Sequence, residues 1–303
     1  MDKPFEKPRA LPAGGTIGVI APAGRVAEMD AVHRGADVLR ALGFKVVLGQ
    51  HLEKVNRYLA GTDKARSDDF LAMMQDPEID AVFCARGGYG SSRIIPHIDK
   101  VAHLSNKILV GCSDITTLLL YLSEQHRMVT FHGPMVATSF GSPSYTGDIA
   151  GLIRMLSGEA ISMPAPNSIV LKAGHAEGIL TGGCLTLICT TIGTPYEIET
   201  KNRILFIEDI AEAPYRIDRM LTYLKHLKKF DPIRGLIFGQ MPDCQPEALP
   251  EMIQEIFADF DFPILFSFPS GHGDAHFTLP LGVPVRMETH PPTVTMLAEA
   301  VSK

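Results

Sequence analysis

Short apolar runs alternate with amphipathic segments through the first half of the chain. The runs, typical of buried strands, start at residues 16, 44, 79, 107 and 129. Between them, apolar positions recur at helical spacing over 29–42, 63–74 and 115–122. Strands that alternate with helices predict parallel βαβ units, so this half is expected to form an open α/β sheet.

The second half repeats this alternation after an interruption. Apolar runs over 203–207, 235–239 and 262–266 predict strands, and the segments 215–229 and 250–260 have helical spacing. The interruption, residues 157–178, loses the helical pattern and gains prolines and a glycine. We therefore expect an N-terminal domain over 1–160, a linker over 161–178 and a C-terminal domain over 179–303.

Composition and charge narrow the class of protein. The 303 residues are 46% hydrophobic and 20% charged, which suits a protein with substantial cores. The net charge is −6 without a long Lys/Arg run, which argues against a nucleic-acid partner. The first residues lack the apolar stretch of a signal peptide, and no run approaches the roughly 18 apolar residues of a membrane span. The predicted location is the cytoplasm, with no membrane association.

The five cysteines do not form a recognisable framework. Their number is odd and no C-x-x-C spacing occurs, so reduced thiols are expected rather than disulfides or a zinc site. Cys112, beside a serine discussed next, could be proposed as a nucleophile. A small buried residue at a turn is the simpler interpretation of Cys112.

Ser113 is the first candidate for chemistry. The apolar run 107–110 is followed by Gly-Cys-Ser-Asp and then by a helical segment. A serine at a sharp strand-to-helix turn can expose its hydroxyl above the sheet, with backbone N–H groups at the helix start. The second glycine of G-x-S-x-G is missing, and the alternative is that Ser113 only caps the helix.

A glycine-rich loop, ARGGYGSSR at residues 85–93, follows the third predicted strand. Glycines let a backbone approach a ligand closely, and loops at the carboxyl ends of parallel strands form the ligand crevice. Phosphate binding is one interpretation, although G-x-G-x-x-G and the P-loop pattern are absent. A tight turn that opens the next helix, or an oxyanion donor loop that faces Ser113, are the others.

Two further reactive groups lie where predicted strands end. Glu208 directly follows the strand 203–207, and His272 lies in the loop 269–276. With Ser113 they make a possible triad, since histidine can take the serine proton and a carboxylate can stabilise the imidazolium. Each also has a structural interpretation: Glu208 could pair with a nearby arginine, and His272 could be a turn residue. His132, after the fifth strand, could be a base or a packed histidine.

Several motifs carry a family resemblance. In chain order they are IGVIAPAG, ARGGYGS, GCSDITTLL, FHGP, LFIEDIAEAPYRIDRML and GHGDAHFTLPLG. Together they span nearly the whole chain and resemble the LD-carboxypeptidase family of serine peptidases, which includes the microcin C self-immunity proteins. The resemblance implies a flavodoxin-like parallel-sheet N-terminal domain and a smaller, swivelling α/β C-terminal domain.

The resemblance also implies roles for individual residues. The serine of G-x-S-D falls on Ser113, the glutamate of L-F-x-E-D on Glu208, and the histidine of G-H before LPLG on His272. The backbone N–H groups of Gly88 and Asp114 correspond to the oxyanion donors. One departure is visible, because Cys184 stands where the family often has asparagine.

The activity implied is hydrolysis of the L,D-peptide bond before a terminal D-alanine of cytoplasmic murein tetrapeptides. Arg86 and Tyr89 are predicted substrate-binding residues, with the Arg86 guanidinium gripping the terminal carboxylate. No metal or organic cofactor is expected, and the family implies a homodimer. A peptidyl or aminoacyl nucleotide is the rival substrate, although the chain lacks Trp for base stacking. A non-catalytic binding protein is the rival class, but it would not need Ser, Glu and His at three strand ends.

Overall fold

The computed structural model describes residues 3–273 and 276–303 of the chain. In chain order the strands are β1 (Thr16–Ile20), β2 (Lys45–Leu48), β3 (Ala81–Cys84), β4 (Ile108–Gly111), β5 (Thr130–His132), β6 (Ser162–Pro164), β7 (Ile169–Lys172), β8 (His175–Cys184), β9 (Arg203–Glu208), β10 (Gly235–Gln240), β11 (Ile264–Gly271), β12 (Leu279–Leu281), β13 (Pro284–Thr289) and β14 (Pro292–Met296). The α-helices are α1 (Met29–Ala41), α2 (Asp63–Gln75), α3 (Ser91–Ile98), α4 (Thr116–His126), α5 (Ile149–Leu156), α6 (Leu185–Thr191), α7 (Pro214–His226) and α8 (Leu249–Ile256).

The first sheet has the strand order β12-β5-β4-β3-β1-β2. Strands β1 to β5 are parallel, and β12 pairs antiparallel with the outer edge of β5. The apolar runs of β3 and β4 are buried at every position, as expected of parallel strands covered on both faces. The order 2-1-3-4-5 of the parallel strands is flavodoxin-like, which confirms the predicted fold class.

The second sheet has the order β6-β14-β13-β8-β9-β10-β11-β7. Its centre, β8 to β11, is parallel, and the flanking strands pair antiparallel. Successive side chains of β9 point to opposite faces. Ile204 and Phe206 join the core that extends from the first sheet, whereas Leu205 and Ile207 join a second core formed with α6, α7 and α8. The second sheet is therefore covered on both faces.

The segment predicted as a linker, 161–178, is not an extended connection. It forms β6, β7 and the start of β8, all in the second sheet. β6 and β7 are short and largely solvent-facing, so they lack the apolar run that would have identified them as strands. The division of the chain into 1–160 and 179–303 stays a prediction, and β12 from the second range lies in the first sheet.

The loop predicted over 269–276 begins later than expected. β11 continues to Gly271, because its pairing with β10 extends through two register shifts as far as Gln240. Residues 274–275 of that loop lie outside the described residues. The result is that His272 directly follows the end of a strand, as Glu208 ends β9.

Candidate active site

Ser113 lies at a sharp turn between a parallel strand and a helix. β4 ends at Gly111, a turn of 3-10 helix covers Ser113–Ile115, and α4 follows directly. The φ angle of Ser113 is +60°, a conformation that residues other than glycine rarely adopt. Cys112 occupies the N-cap position of this turn, so the structure does not support the interpretation of Ser113 as a simple helix cap. The strained turn has the geometry of a nucleophile elbow.

A cavity of about 490 Å³ opens beside this turn. Its lining brings together Arg86, Ser113 and His272, which sequence reasoning placed in one site, and also includes Gly88. Side chains with hydroxyl groups line a further part of it: Thr138, Ser139, Ser142 and Tyr145. The volume lies in the range of sites that bind small ligands.

Gly87 holds the loop after β3 against Ser113. A Cβ atom at residue 87 would lie 2.6 Å from the Cβ and 2.8 Å from the Oγ of Ser113. The same atom would lie 3.2 Å from the backbone nitrogen of Asp114. Because a Cβ atom essentially never comes within 3.0 Å of a heavy atom beyond its own residue and its chain neighbours, this close approach of the loop to Ser113 requires glycine.

Gly87→Ala is therefore expected to lower kcat/KM by about a hundredfold or more, since the added methyl group displaces either the Ser113 side chain or the loop. Steady-state kinetics of the wild type and of Gly87→Ala on the same substrate measure this loss. Gly43→Ala is the control for loss of a glycine outside the cavity: a Cβ atom there meets no atom within 4 Å, so the positive φ of +96° should lower the free energy of unfolding while kcat/KM stays unchanged. A Gly87→Ala enzyme with wild-type kinetics would show that the contact has no catalytic consequence.

The predicted oxyanion donors, the N–H groups of Gly88 and Asp114, flank this contact. The Gly87 carbonyl accepts a 2.9 Å hydrogen bond from the N–H of Gly24. In a trans peptide the next N–H points the opposite way, so the Gly88 N–H is turned away from Gly24. The Asp114 carboxylate accepts a 2.8 Å hydrogen bond from the N–H of Ser91, which ties the elbow to α3. Both donor loops are thus held in place, while their action on an oxyanion stays a prediction.

Glu208, which is buried, and His272, which is mostly buried, form a carboxylate–imidazole pair. Glu208 ends β9 without solvent exposure, and the Nδ1 of His272 is hydrogen-bonded to its Oε2. Gly271 permits this approach, because a Cβ atom there would lie only 3.0 Å from the Cβ of Glu208. Since the carboxylate engages Nδ1, the Nε2 atom of His272 is available to exchange a proton.

The pair shifts the pKa values of both groups. Burial raises the pKa of the Glu208 carboxyl, but the charge of His272 and the contacts with His132 and His272 outweigh it, so that this pKa falls to about 2. Burial lowers the pKa of His272, but the charge and hydrogen bond of Glu208 outweigh it and raise this pKa above its ordinary value of 6.5. Each partner thus favours the charged form of the other.

The raised pKa of His272 predicts the acid limb of the pH profile. An imidazolium cannot accept a proton from Ser113, so kcat/KM is expected to fall as the pH drops through the pKa of His272. The midpoint should lie above 6.5, and in a Glu208→Gln variant it should move to lower pH. Rates measured from about pH 5 to about pH 9 test this shift. A midpoint that is identical in the two proteins would contradict the coupling of the two residues.

His276, the other histidine of this loop, has different partners. It is buried and stacks on His132, with ring centroids 5.7 Å apart. Burial and the neighbouring His132 lower the pKa of His276 to about 3, so its ring is neutral near pH 7. It is His272, not His276, that is hydrogen-bonded to Glu208. The choice of His272 over His276 as general base stays a prediction.

Sequence reasoning left the place of His132 open. The structure puts His132 in the core at the end of β5, with its Nε2 3.5 Å from the Oε1 of Glu208. This contact joins the first sheet to the carboxylate of the second sheet. The motif FHGP drew attention to the residue, but nothing in the sequence indicated its partner.

Asp209, the neighbour of Glu208, faces another way. Its carboxylate accepts hydrogen bonds of 2.9 Å from both the N–H and the hydroxyl of Thr186, near the start of α6. The Cys184 thiol also donates to it, at 3.5 Å. Adjacent residues at a strand end point to opposite faces, and here each carboxylate has its own partners. The alternative interpretation, in which Glu208 pairs with a nearby arginine, is not supported, because Glu208 contacts His132 and His272 and Arg216 contacts Glu212.

The predicted substrate-binding residues occupy different positions. Arg86 lines the cavity of Ser113, and its Nη1 donates a 2.8 Å hydrogen bond to the carbonyl of Arg25. Tyr89 is 49% exposed and lines a neighbouring cavity together with Tyr58. Arg86 lines both cavities, so it forms part of the wall that they share.

Cys112 differs chemically from Ser113. It is buried, and burial raises the pKa of its thiol well above the usual range, which leaves the thiol protonated.

Within the described ranges 3–273 and 276–303, no group of three or more His, Cys, Asp or Glu side chains is arranged to hold a metal ion. None of the helices in these ranges is long and apolar enough to cross a membrane.

Both halves of the chain match models of known protein families. Residues 17–133 match the model of an LD-carboxypeptidase N-terminal domain, and residues 177–287 match that of an LD-carboxypeptidase C-terminal domain. The chain is 36% identical to a probable murein peptide carboxypeptidase of Bacillus subtilis, over 96% of this chain and 94% of that protein. It is 31% identical to the murein tetrapeptide carboxypeptidase of Pseudomonas aeruginosa, over 89% and 92% of the two chains.

A solved structure has the same architecture. MccF in complex with glutamyl sulfamoyl guanosine superposes with a TM-score of 0.88 at 25% identity, covering 98% of this chain and 99% of that chain. The similarity includes both sheets, since nearly all of each chain is aligned.

Proposed function

Because the chain belongs to the LD-carboxypeptidase family, we propose that it is a serine carboxypeptidase that removes the terminal D-alanine from murein tetrapeptides. The observation that carries this proposal is the hydrogen-bonded Glu208–His272 pair, because His272 lines the same cavity as the strained Ser113. A buried carboxylate that engages one nitrogen of a histidine leaves the other nitrogen to activate a serine.

The reaction follows from these positions. His272 accepts the hydroxyl proton as Ser113 Oγ attacks the carbonyl carbon before D-alanine, and Glu208 stabilises the imidazolium. The N–H groups of Gly88 and Asp114 donate to the tetrahedral oxyanion, and each such donor typically contributes roughly 3–4 kcal/mol. The C–N bond then breaks as His272 gives the proton to the amine of D-alanine. Water, activated by His272, attacks the acyl-serine ester and releases the shortened peptide.

A carboxypeptidase must also recognise the end of the chain. We assign the terminal carboxylate to Arg86, whose guanidinium lines the cavity and can hold a carboxylate in a bidentate manner. Its hydrogen bond to the carbonyl of Arg25 uses Nη1 and restrains the side chain. We further propose that the protein acts as a cytoplasmic homodimer in the recycling of peptidoglycan, as the family resemblance implies.

The similarity to MccF favours a second candidate, hydrolysis of an aminoacyl or peptidyl nucleotide. The chain has no Trp on which a base could stack, although tyrosines flank the site. A non-catalytic ligand-binding protein is the alternative from another class. It is less well supported, because binding alone does not call for a buried Glu–His pair beside a strained serine.

One incubation separates these candidates. The purified protein is mixed with disaccharide-free murein tetrapeptide or with an aminoacyl sulfamoyl nucleoside, and the products are followed by mass spectrometry. Release of D-alanine by the wild type but not by Ser113→Ala supports the proposal. Cleavage of the nucleoside conjugate alone would favour the second candidate, and no cleavage of either would favour the binding protein.

A further inference from the structure

A second cavity, of about 430 Å³, lies at the switch point of the first sheet. β1 pairs with β2 on one side and with β3 on the other. The loops after β1 and β3 meet at the hydrogen bond between Gly24 and Gly87, and the cavity opens beside this contact. Side chains and backbone from the loops after β1, β2 and β3 line it: Gly24, Arg25, Tyr58, Arg86, Gly88 and Tyr89. In open α/β sheets this is the usual place for a ligand.

The lining of this switch-point cavity suits an anion with apolar parts. Both of its charged lining residues are arginines, in a chain whose net charge is −6. Tyr58 and Tyr89 are 54% and 49% exposed, with ring centroids 5.8 Å apart. A third guanidinium, that of Arg57, lies 5.7 Å from the centre of the Tyr58 ring. Exposed aromatic rings beside arginines can pack against a ligand while the guanidinium groups bind its charge.

Hydrogen bonds fix the walls of the cavity. The buried Arg66 donates from Nη1 to the carbonyls of Pro22 and Gly90, at 2.6 Å each, and pairs with Asp63. It thereby links the loop after β1 to the loop after β3. The carbonyl of Tyr58 accepts a 3.0 Å hydrogen bond from the N–H of Arg25, which joins the loop after β2 to the loop after β1. A cavity held in this way is already shaped before a ligand binds.

The switch-point cavity adjoins the catalytic one, and a shared wall separates the two. Arg86 and Gly88 line both, so a molecule attached to Ser113 has only this shared wall to pass before it reaches Arg25. In the proposed reaction the leaving group is a single amino acid. The longer acyl part of the peptide must therefore extend out of the catalytic cavity.

We infer that the switch-point cavity is a subsite for the acyl part of the substrate, in which Arg25 binds a free carboxylate and Tyr58 and Tyr89 pack against the adjoining chain. This inference rests on the proposed function. Arg86 then separates the two anionic groups of the substrate, the terminal carboxylate on one side and the acyl carboxylate on the other.

Two tetrapeptides test the subsite: L-Ala-γ-D-Glu-L-Lys-D-Ala and the same peptide with the D-glutamate α-carboxylate converted to its carboxamide. With lysine at the third position, this group is the one free carboxylate of the acyl part. The wild type is expected to show a kcat/KM at least about tenfold higher on the acid peptide, chiefly through KM. In Arg25→Gln the ratio of the two values should approach one. Arg40→Gln, an exposed arginine of α1 paired with Asp37, is the matched control and should keep the wild-type ratio.

The possible outcomes test the subsite and the proposed function separately. Equal cleavage of both peptides by the wild type, or an unchanged ratio in Arg25→Gln, would overturn the subsite and leave the proposed function standing. If the wild type releases no D-alanine from either peptide, the proposed function fails. Calorimetric titration of Ser113→Ala with both peptides then decides the subsite: tighter binding of the acid peptide that Arg25→Gln removes supports it, and equal binding overturns it.

Discussion

Replacing Ser113 by alanine is expected to lower kcat by at least about four orders of magnitude, since the loss of a serine nucleophile removes the covalent route altogether. The fold should persist, because the hydroxyl lines a cavity and does not cap a helix. The free energy of unfolding is expected to change by less than about 1 kcal/mol. Kinetics of D-alanine release and a denaturant titration give the two numbers.

Cys112→Ala is the matched control for this experiment. The Cys112 thiol is next to Ser113 in the chain but is buried and protonated, so its loss should leave kcat within about tenfold of the wild type. Activity that survives in Ser113→Ala and disappears in Cys112→Ala would transfer the nucleophile to the cysteine.

Glu208→Gln is expected to lower kcat by at least about two orders of magnitude, by analogy with the loss of the carboxylate in other triads. An amide cannot stabilise the imidazolium that forms on His272, and it does not fix the ring tautomer that presents Nε2. The loss should appear in kcat more than in KM, because the carboxylate acts when charge develops on the ring. Steady-state kinetics on the tetrapeptide separates the two constants.

Asp209→Asn supplies the comparison. Asp209 is hydrogen-bonded to the start of α6, so its replacement should lower the free energy of unfolding by about 1–3 kcal/mol and change kcat much less than Glu208→Gln does. The reverse pattern, a catalytic loss in Asp209→Asn with an active Glu208→Gln, would exchange the roles of the two carboxylates.

The parallel core of the first sheet was predictable because its strands are covered on both faces. Such strands are apolar throughout, and the runs of β3 and β4 stand out in the sequence. β6 and β7 are not recognisable from the sequence, since short strands with solvent-facing positions have no comparable signal. β12 is likewise too short to reveal that it returns to β5.

The candidate site was predictable as a set of residues but not as an arrangement. Glu208 and His272 are recognisable as reactive groups at strand ends, yet their hydrogen bond depends on the register of β9, β10 and β11. The contact of His132 with Glu208 crosses between the sheets and has no local signal. Arg66 is charged and sits in an ordinary helix, so its complete burial could not be read from the pattern around it.

The first sheet is completed late in synthesis, because its edge strand β12 follows β5 at a long distance in the chain. The outer edge of β5 stays unpaired until Leu279–Leu281 has been made, roughly 150 residues later, which takes on the order of 10 s at ordinary rates of translation. During this interval the nascent chain presents an open strand edge, the kind of surface that invites pairing with other chains. His272 lies between β11 and β12 and is itself translated late. Under the proposed mechanism, a ribosome-bound chain therefore has Ser113 long before it has His272, and hydrolysis is expected only after His272 has been translated and has reached Glu208.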